Sequence, residues 1–427
     1  MYKYTIFLHI FASTFQLMNK QEIQTRELQH LMGKKRVCLK WATGMGKSKM
    51  AIDLANDATY PFSSAHKAEV LLVVAERSHK QNWIDEMQKW GFALDRVNLT
   101  MICYASLHKV RDMSFDVLIL DEAHHCFTEK RMEILKSIKP MYVYLLSATL
   151  SRQKLNAIED IYSRFCVSAV SLKTAIDAEA LPEPMVNIVN LKLNDSVVNQ
   201  EIKIGKGDNL PEVTWEQRFP YINGKKTNGC IIKCTERQKY QYYTDSMEYW
   251  KRRYEHTQNP YHRNMWVQLG SQRKRFLGEL KTKYVERLSK FFNKKSKRYI
   301  CFCASVLQGE YLNKHRLISS KRRMPANQKI IDSFNNKKIR SIFAVGMATE
   351  GLNLKDIQIG VITQLDGKER LFVQKAGRAM RAEYPQIWVF CYENTQDTVY
   401  LRNVVNNIEE KYIKSYTLEE FYDYTKQ

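Results

Sequence analysis

Short apolar runs rich in β-branched residues recur along the first 170 residues, and polar, helix-compatible stretches separate them. Strands that are buried on both faces have this near-continuous apolar character, and their alternation with helices is typical of a parallel α/β sheet. The sequence therefore predicts one α/β lobe in residues 1–180. Its strands are predicted at 36–41, 69–76, 99–104, 115–122, 142–149 and 165–170.

The second half of the chain repeats this rhythm, and a second lobe with a parallel sheet is predicted in residues 181–427. Leu181-Pro-Glu-Pro184 joins the two lobes, and only 9 Pro and 16 Gly argue against long flexible linkers. From about 194 to 290 the β rhythm weakens, which predicts a mainly helical insert in the second lobe. The strands of this lobe are predicted at 299–305, 341–346, 357–364 and 387–392.

The charge of the chain indicates a polyanionic partner. Lys and Arg outnumber Asp and Glu by 67 to 45, giving a net charge of +22. Taken alone, this charge also fits a ribosome-associated or membrane-surface protein. No apolar run approaches the roughly 18 residues of a membrane span, so no membrane association is expected.

Other features predict a cytoplasmic protein. The nine Cys lie in apolar runs or in isolation, and Cys230 and Cys234 have no second Cys/His pair at zinc spacing, so reduced thiols are expected. Residues 1–17 resemble a poor signal peptide without a small-residue cleavage site, and translation from Met18 is the simpler interpretation. The Lys-, Asn- and Ile-rich composition suggests an AT-rich bacterial or phage genome.

A glycine-containing loop follows the first predicted strand and precedes a helical stretch, and this setting predicts a phosphate site. Gly44 and Gly46 allow backbone N–H groups to close around a phosphate, beside the positive end of the helix. Lys47 is expected to reach the β- and γ-phosphates of ATP, and the Ser48 hydroxyl is expected to bind Mg²⁺. Together the predicted nucleotide-binding residues of the phosphate loop are Thr43, Gly44, Met45, Gly46, Lys47 and Ser48.

A predicted strand ends in two acidic residues and a histidine, in the sequence Asp121-Glu-Ala-His124. An acid at the carboxyl end of a parallel strand, beside a phosphate loop, is suited to hold Mg²⁺, and this role is predicted for Asp121. Glu122 is then placed to orient and deprotonate the attacking water. His124 has no such task and is interpreted as a coupling contact between the lobes.

Four motifs occur in chain order: Ala42-Thr-Gly-Met-Gly-Lys-Ser48, Asp121-Glu-Ala-His124, Ser147-Ala-Thr149 and Gln374-Lys-Ala-Gly-Arg-Ala-Met-Arg381. Together they resemble the motifs of the DEAD/DEAH-box-like superfamily 2 helicases. The resemblance is strongest to compact phage-type helicases and Snf-type DNA motors, and it runs from about Arg26 to Arg381. It implies two tandem RecA-like lobes, with ATP and Mg²⁺ as cofactors and nucleic acid as the partner.

The resemblance also implies roles for residues outside the phosphate loop. Gln29 lies where the family places an adenine-reading glutamine, and Ser147, Ala148 and Thr149 would couple hydrolysis to lobe movement. Several residues lie in segments where the family contacts the nucleic-acid strand. These are Arg77 and Ser106 in the first lobe, and Ser305, Thr349, Glu350 and Asn353 in the second.

The last motif implies a catalytic contribution from the second lobe. Gln374, Arg378 and Arg381 match the family pattern QxxGRxxR, whose arginines meet the phosphates held on the first lobe. The planar guanidinium suits this task because it neutralises charge in the transition state. A surface-basic helix with ordinary salt bridges is the alternative.

The insert carries a large share of the charge. Residues 231–298 contain eighteen Lys/Arg and six Asp/Glu, interleaved with aromatic residues such as Trp250 and Trp266. Basic residues bind phosphates and aromatic rings stack on bases, so Arg273, Lys274 and Arg275 are predicted nucleic-acid contacts. The alternative is a helical pair with a packed aromatic core and solvated charges, and the two interpretations are compatible.

These features predict an ATP-dependent DNA helicase that works as a monomeric motor, with replication or recombination proteins as further partners. A double-stranded DNA translocase that does not separate strands is the second candidate, and an RNA helicase is the third. A nucleic-acid-binding protein without ATPase activity is the remote alternative, because all the expected chemical residues are present.

Overall fold

The computed structural model describes residues 19–207, 209–217, 221–222, 225–226, 229–346, 354–365, 384–405 and 408–426. These residues form two α/β lobes, each built on one parallel sheet, with an insert in the second lobe. The predicted fold class is confirmed. In the described part of the chain, no helix combines the length and the apolar character that a membrane span requires.

The first lobe, which we call lobe 1, has a six-stranded sheet in the order β3-β2-β4-β5-β1-β6, in which every neighbouring pair is parallel. Each strand lies at its predicted position to within a few residues. The strands are β1 (Arg36–Trp41), β2 (Ala68–Val74), β3 (Val97–Cys103), β4 (Val117–Leu120), β5 (Tyr142–Leu146) and β6 (Cys166–Val170).

Helices cover both faces of this sheet, which explains why its strands read as apolar runs: all four residues of β4 are buried. Asn19 caps the first helix by accepting from the N–H groups of Gln21 and Glu22, and the Glu22 carboxylate closes a capping box. The helices are α1 (Lys20–Leu31), α2 (Lys47–Thr59), α3 (Arg77–Lys89), α4 (Glu129–Ser137), α5 (Arg152–Tyr162) and α6 (Leu172–Asp177).

The chain enters the second lobe, lobe 2, through β7 (Met185–Leu191), and an insert follows. The insert begins with strands, so the expectation of a mainly helical insert is incomplete for its first part. These strands are two to six residues long and several of them are polar, so they leave little periodic signal: β8 (Gln200–Gly205), β9 (Glu212–Thr214), β10 (Tyr221–Ile222), β11 (Lys225–Lys226) and β12 (Gly229–Cys234). Two long antiparallel helices then form a hairpin, α7 (Glu236–Thr257) and α8 (Pro260–Leu280).

Lobe 2 has a seven-stranded parallel sheet in the order β14-β15-β13-β16-β17-β7-β18. Sequence analysis missed β7, β14 and β18. The remaining strands are β13 (Tyr299–Cys303), β14 (Leu317–Ser319), β15 (Ser341–Val345), β16 (Ile359–Ile362), β17 (Gln386–Tyr392) and β18 (Ile413–Tyr416). Its helices are α9 (Thr282–Lys294), α10 (Val306–Asn313), α11 (Met324–Asn335), α12 (Gln396–Val405) and α13 (Leu418–Tyr424).

The helix α9 belongs to the core of lobe 2, because Val285, Leu288 and Phe292 are buried against the sheet residues Tyr299 and Trp388. The helical part of the insert is therefore the α7–α8 hairpin. All nine cysteines are free thiols, and all but Cys166 are buried, as expected for reduced core residues.

Candidate active site

The phosphate loop lies at the carboxyl end of β1 and leads into α2. Gly44 and Gly46 have φ angles of 96° and 90°, a left-handed conformation that glycine adopts without strain. Met45 between them is fully buried and anchors the loop in the core. Since α2 begins at Lys47 without a side-chain cap and has no acidic residue in its first turn, its positive end faces the loop. This arrangement fits a bound phosphate.

The helix α1 braces the loop through a glutamine that sequence analysis did not single out. The Gln24 side-chain amide donates to the Met45 carbonyl oxygen at 2.7 Å and is buried. A β-carbon at position 46 would lie 2.3 Å from the Gln24 Nε2 atom and would displace this side chain, and the φ of 90° would strain any other residue there. Gln29 is instead exposed and lines an open groove on the outer face of α1 with Arg26.

Trp41 occupies the position of the first glycine in the general phosphate-loop pattern GxxxxGK[ST], and its side chain packs in the core. Its indole is fully buried and donates to the Ser168 hydroxyl at 2.7 Å, which in turn donates to the Glu27 carboxylate at 2.7 Å. The Trp41 carbonyl oxygen accepts from the Lys47 ammonium at 3.1 Å. The loop is thereby tied to both β6 and α1.

Asp121 follows β4, and both of its carboxylate oxygens are held. The Trp83 indole N–H donates to Oδ2 at 2.8 Å, and the Glu122 backbone N–H donates to Oδ1 at 2.9 Å. Burial raises the pKa of Asp121, while the Trp83 hydrogen bond and the charge of Lys47 act in the opposite direction. Tyr104 adds a third anchor, because its hydroxyl donates to the Asp121 carbonyl oxygen at 2.9 Å.

This environment fits a divalent cation. A partly desolvated carboxylate with fixed orientation gains most from a nearby positive charge, and oxygen ligands suit Mg²⁺. Ser48, the second residue of α2, supplies a hydroxyl at the phosphate loop. Among the described residues, no cluster of three or more His, Cys, Asp or Glu side chains offers a different metal site.

Glu122 and His124 connect the acidic segment to the next strand. Glu122 has a φ of 46°, a left-handed conformation that is strained for a residue with a β-carbon. Its Oε2 atom lies 3.4 Å from Nδ1 of His124, and the same Nδ1 lies 3.3 Å from the Ser147 hydroxyl. The Ser147 hydroxyl accepts from the Thr149 N–H at 3.2 Å. A chain of contacts thus runs from the end of β4 to the end of β5.

The strand order explains why these groups meet. The neighbours β4, β5 and β1 are parallel, so their carboxyl ends share one edge of the sheet. The acidic segment, the Ser147-Ala148-Thr149 turn and the phosphate loop follow these three strands in that order. Lys154 closes the site from α5 by donating to the His124 carbonyl oxygen at 3.3 Å.

The predicted nucleic-acid contacts of lobe 1 lie at the same edge. Arg77 is exposed and begins α3 immediately after β2, and Ser106 lies in the helical turn that follows β3. In lobe 2, Ser305 follows β13 and caps α10 by accepting from the Gln308 N–H at 3.2 Å. Each therefore lies beyond the carboxyl end of a parallel strand, and their contact with nucleic acid stays a prediction.

Six predicted residues of lobe 2 lie outside the described residues. They are Thr349, Glu350, Asn353, Gln374, Arg378 and Arg381.

Arg273 is a correction to the predicted basic face of the insert. Its guanidinium is buried at the base of the hairpin, where it donates to the Thr244 hydroxyl at 3.2 Å and to the Gln396 side-chain oxygen at 2.6 Å. It therefore joins the hairpin to α12 and is not placed to contact nucleic acid. Arg275 is exposed and Lys274 is partly exposed. The residue types of three consecutive cations on one helix do not indicate which of them is buried.

The aromatic residues of the hairpin pack between its two helices. Trp250 contacts Tyr261 at a centroid distance of 5.7 Å, and Tyr254 contacts Trp266 at 6.2 Å. None of residues 241–268 is fully buried, so the rings stabilise the hairpin and keep part of their surface accessible. The rings pack as the alternative expects, and their stacking on bases stays a prediction.

Two family models match separate parts of the chain. The model described as the res subunit of type III restriction enzymes matches residues 14–104, in lobe 1. The helicase conserved C-terminal domain matches residues 281–383, in lobe 2. No curated protein matches the chain.

Solved structures with the same fold include Dbp5 from S. cerevisiae bound to RNA and ADP BeF3, at 11% identity and a TM-score of 0.56. That alignment covers 98% of this chain and 94% of Dbp5. Mss116p bound to ssRNA and AMP-PNP matches at 12% identity and a TM-score of 0.54, over 93% of this chain and 74% of that protein. At these identities the likeness concerns the fold, which is two RecA-like lobes.

Proposed function

We propose that this superfamily 2 helicase-like enzyme, which hydrolyses ATP with Mg²⁺, is a DNA helicase in which ATP-driven closure of the two lobes moves or separates nucleic-acid strands. The observation that carries this proposal is the chain of contacts from Asp121 through Glu122 and His124 to Ser147. It joins the residues next to the nucleotide to a turn that can respond to the nucleotide's state.

We assign the chemical roles within lobe 1 by position. Lys47 leaves the Trp41 carbonyl oxygen to bind the terminal phosphates, and the backbone around Gly44 and Gly46 surrounds them. Asp121 and Ser48 would hold Mg²⁺, which when bound neutralises charge on the phosphate oxygens. Glu122 orients the attacking water and accepts its proton.

His124 couples the nucleotide to the rest of the motor in this proposal. Its Nδ1 lies within reach of both Glu122 and Ser147, so a change at the Glu122 carboxylate alters its contact with the Ser147-Ala148-Thr149 turn. The Thr149 hydroxyl is buried without a hydrogen-bond partner among the described residues. A group that arrives on lobe closure would satisfy it.

The nucleic acid would cross the carboxyl edges of both sheets. Arg77, Ser106 and Ser305 all follow strands at these edges, as the nucleotide residues do. Relative movement of the lobes would then shift the strand contacts of lobe 1 against those of lobe 2. Arg378 and Arg381 would complete the nucleotide site from lobe 2 when the lobes close.

DNA is the proposed substrate, and RNA is the second candidate. The match of lobe 1 to a restriction-enzyme subunit model favours DNA. The structures of Dbp5 and Mss116p, which contain RNA, favour the RNA alternative. A translocase that moves on duplex DNA without separating its strands would use the same lobes and the same chemistry.

The test is a comparison of ATP hydrolysis with single-stranded DNA, duplex DNA, forked DNA and single-stranded RNA, followed by unwinding of the best activator. Stimulation by single-stranded or forked DNA together with strand separation is expected. Stimulation by duplex without separation would indicate the translocase, and stimulation by RNA alone would indicate the RNA helicase. A rate that no nucleic acid changes would contradict a motor function.

A further inference from the structure

The loops that enter four neighbouring strands of lobe 2 are rich in cations. They precede β13, β14, β15 and β16, and we call them the basic edge: residues 295–298, 314–316, 336–340 and 355–358. Nine of these residues are Lys or Arg and one is Asp, a net charge of +8. The cations are Lys295, Lys297, Arg298, Lys314, Arg316, Lys337, Lys338, Arg340 and Lys355.

The strand order brings these loops side by side. The four strands are neighbours in the order β14-β15-β13-β16, and all are parallel, so their amino ends share one edge of the sheet. This edge is opposite to the carboxyl edge at which Ser305 lies. The basic edge is therefore separate from the path proposed for nucleic acid through the motor.

Helix stabilisation does not account for this charge. The helices α9, α10 and α11 end here, and a cation near a helix C-terminus contributes about 0.3–1 kcal/mol. The same reasoning applies to the amino edge of lobe 1, where helices or helical turns end before each of six strands. Those six loops hold only seven Lys/Arg and include three Asp, a net charge of +4. The four loops of the basic edge thus carry twice the net charge of the six loops of lobe 1.

Hydrogen bonds hold the loops in a defined arrangement. The Arg298 guanidinium donates to the carbonyl oxygens of Phe334 at 2.8 Å, Lys355 at 3.1 Å and Asp356 at 3.2 Å. Arg316 donates to the Ser341 hydroxyl at 2.7 Å. Two arginines thus organise the edge, while most of its lysines project into solvent.

The exposed lysines provide the charge that a partner would meet. Apart from Lys337, which lies 3.5 Å from the Asp356 carboxylate, no salt bridge is formed by a lysine of the basic edge with the described residues. All the lysines of the edge are exposed, and Arg340 is exposed with them. The surface therefore offers several ammonium groups with little internal neutralisation.

The composition of the basic edge fits phosphate groups better than a protein partner. Its exposed side chains are mainly Lys and small polar residues, and none is a large apolar residue or a Phe, Tyr or Trp. Protein interfaces are depleted in Lys and depend on aromatic or Arg anchors. Binding of a phosphate backbone needs only accumulated positive charge.

We propose that the basic edge is a second nucleic-acid-binding surface, which holds the phosphate backbone of a duplex outside the motor path. Its size agrees with this ligand. Four strands at about 4.8 Å spacing span roughly 14 Å, a length over which a duplex carries about eight phosphate charges. The inference rests on the proposed function in that both require nucleic acid, but it uses residues that take no part in ATP hydrolysis.

The experiment removes four exposed lysines of the basic edge together: Lys295→Ala, Lys297→Ala, Lys338→Ala and Lys355→Ala. A matched control removes four exposed lysines of lobe 1: Lys67→Ala, Lys130→Ala, Lys136→Ala and Lys139→Ala. Binding to labelled DNA and RNA duplexes of one sequence is measured by anisotropy over a range of salt concentrations. The ATPase rate is measured at saturating nucleic acid.

Loss of the basic-edge lysines is expected to weaken duplex binding roughly tenfold and to reduce the slope of log K against log salt by about 2–4, since each phosphate contact contributes about 0.9. The DNA and RNA arms show whether the duplex type matters. The kcat for ATP should stay unchanged, and the control should retain the wild-type slope.

The proposal is overturned if the basic-edge variant keeps the wild-type slope, or if the control loses as much. It is also overturned if the wild type binds a polyglutamate peptide and the basic-edge variant does not, while both bind the duplex equally well. The partner of the basic edge would then be an acidic protein. Failure of the proposed function would give a different result. No nucleic acid would stimulate the ATPase of the wild type, but the wild type and the basic-edge variant would still differ in the slope of log K against log salt.

Discussion

The two lobes share one plan, a parallel sheet covered by helices, but they use its edges differently. Lobe 1 concentrates chemical groups at the carboxyl edge, where β4, β5 and β1 bring Asp121, Ser147 and the phosphate loop together. Lobe 2 carries the basic edge on the amino-end loops of four strands, and its helical hairpin is joined to α12 through buried Arg273. Packing in the core restricts which residues the strands can contain, whereas the loops at either edge are less restricted and can carry functional residues.

The difference extends to how tightly the groups are held. Both oxygens of Asp121 accept hydrogen bonds, and Glu122 keeps a strained conformation, so contacts within the protein fix the lobe 1 site. The exposed lysines of the basic edge have few fixed partners, as suits a surface that binds a backbone without sequence specificity.

The comparison of the two lobes assigns ATP hydrolysis to lobe 1, so the largest effect is expected at Lys47. Lys47→Ala should abolish measurable ATP hydrolysis, because the charged contact to the phosphates is lost. Lys49→Ala is the matched control: Lys49 lies in the same helix and pairs with Asp53 at 2.9 Å. Phosphate-release kinetics of both variants check this. Equal rates in the two variants would remove Lys47 from the site.

The acidic pair should separate into two roles. Glu122→Gln should bind Mg-ATP with little change and turn over about 10²–10⁴ times more slowly, because the geometry is kept and the base is lost. Asp121→Ala should in addition weaken the Mg²⁺ dependence of nucleotide binding. Single-turnover kinetics and nucleotide titrations with and without Mg²⁺ measure the two effects. Similar mild losses in both variants would contradict the assignment.

A smaller effect is expected at Trp83, which holds Asp121 in place. Trp83→Phe should weaken the apparent Mg²⁺ affinity about tenfold, because a neighbour that orients a metal ligand is lost. Trp90→Phe is the control, since the Trp90 indole donates to Glu86.

The same variant should change the pH dependence of binding. Burial raises the pKa of Asp121 and the Trp83 hydrogen bond lowers it, so the pKa in Trp83→Phe should be higher still. A proton competes with Mg²⁺ for the carboxylate, and binding is lost as the pH falls through this pKa. Loss of Mg-nucleotide binding should therefore begin at a higher pH in Trp83→Phe. Overlapping pH profiles for the variant and the wild type would count against the contact.

The smallest effect concerns stability in lobe 2. Arg273→Ala should lower the free energy of unfolding by about 2–4 kcal/mol, because it removes a buried guanidinium and the hydrogen bonds that it donates to half-buried Thr244 and Gln396. The neighbouring Arg275→Ala should change it by less than about 0.5 kcal/mol, as for most exposed positions. Urea denaturation of both variants tests this. If Arg273→Ala is as stable as the wild type but binds nucleic acid more weakly, Arg273 contacts nucleic acid as the sequence predicted.

Much of lobe 1 follows from its sequence, because buried parallel strands leave apolar runs and the motif residues stand at the ends of those runs. Less of lobe 2 can be predicted from its sequence. The strand β14 has three residues, and β18 is half exposed, so neither provides a clear apolar run. The orientation of α8 decides that Arg273 is buried and Arg275 exposed, and residue type carries no information about it.

The site shows the same division. The positions of Lys47, Asp121 and Glu122 follow from strand, loop and helix order, which is local information. The supporting contacts are tertiary: Gln24 reaches the phosphate loop from α1, and Trp83 reaches Asp121 from α3. Nothing in the spacing of these residues indicates such contacts. The adenine-reading role expected for Gln29 remains a prediction.

The central claim is that ATP and nucleic acid together close the two lobes. Energy transfer between dyes on lobe 1 and lobe 2 tests it directly, with Lys139→Cys and Lys414→Cys at exposed positions and Cys166→Ser to remove the cysteine that is not buried. We predict that the transfer efficiency changes only when ATP and nucleic acid are both present, and that adding Glu122→Gln keeps it in the closed state. An efficiency that stays constant in all nucleotide states would contradict the account.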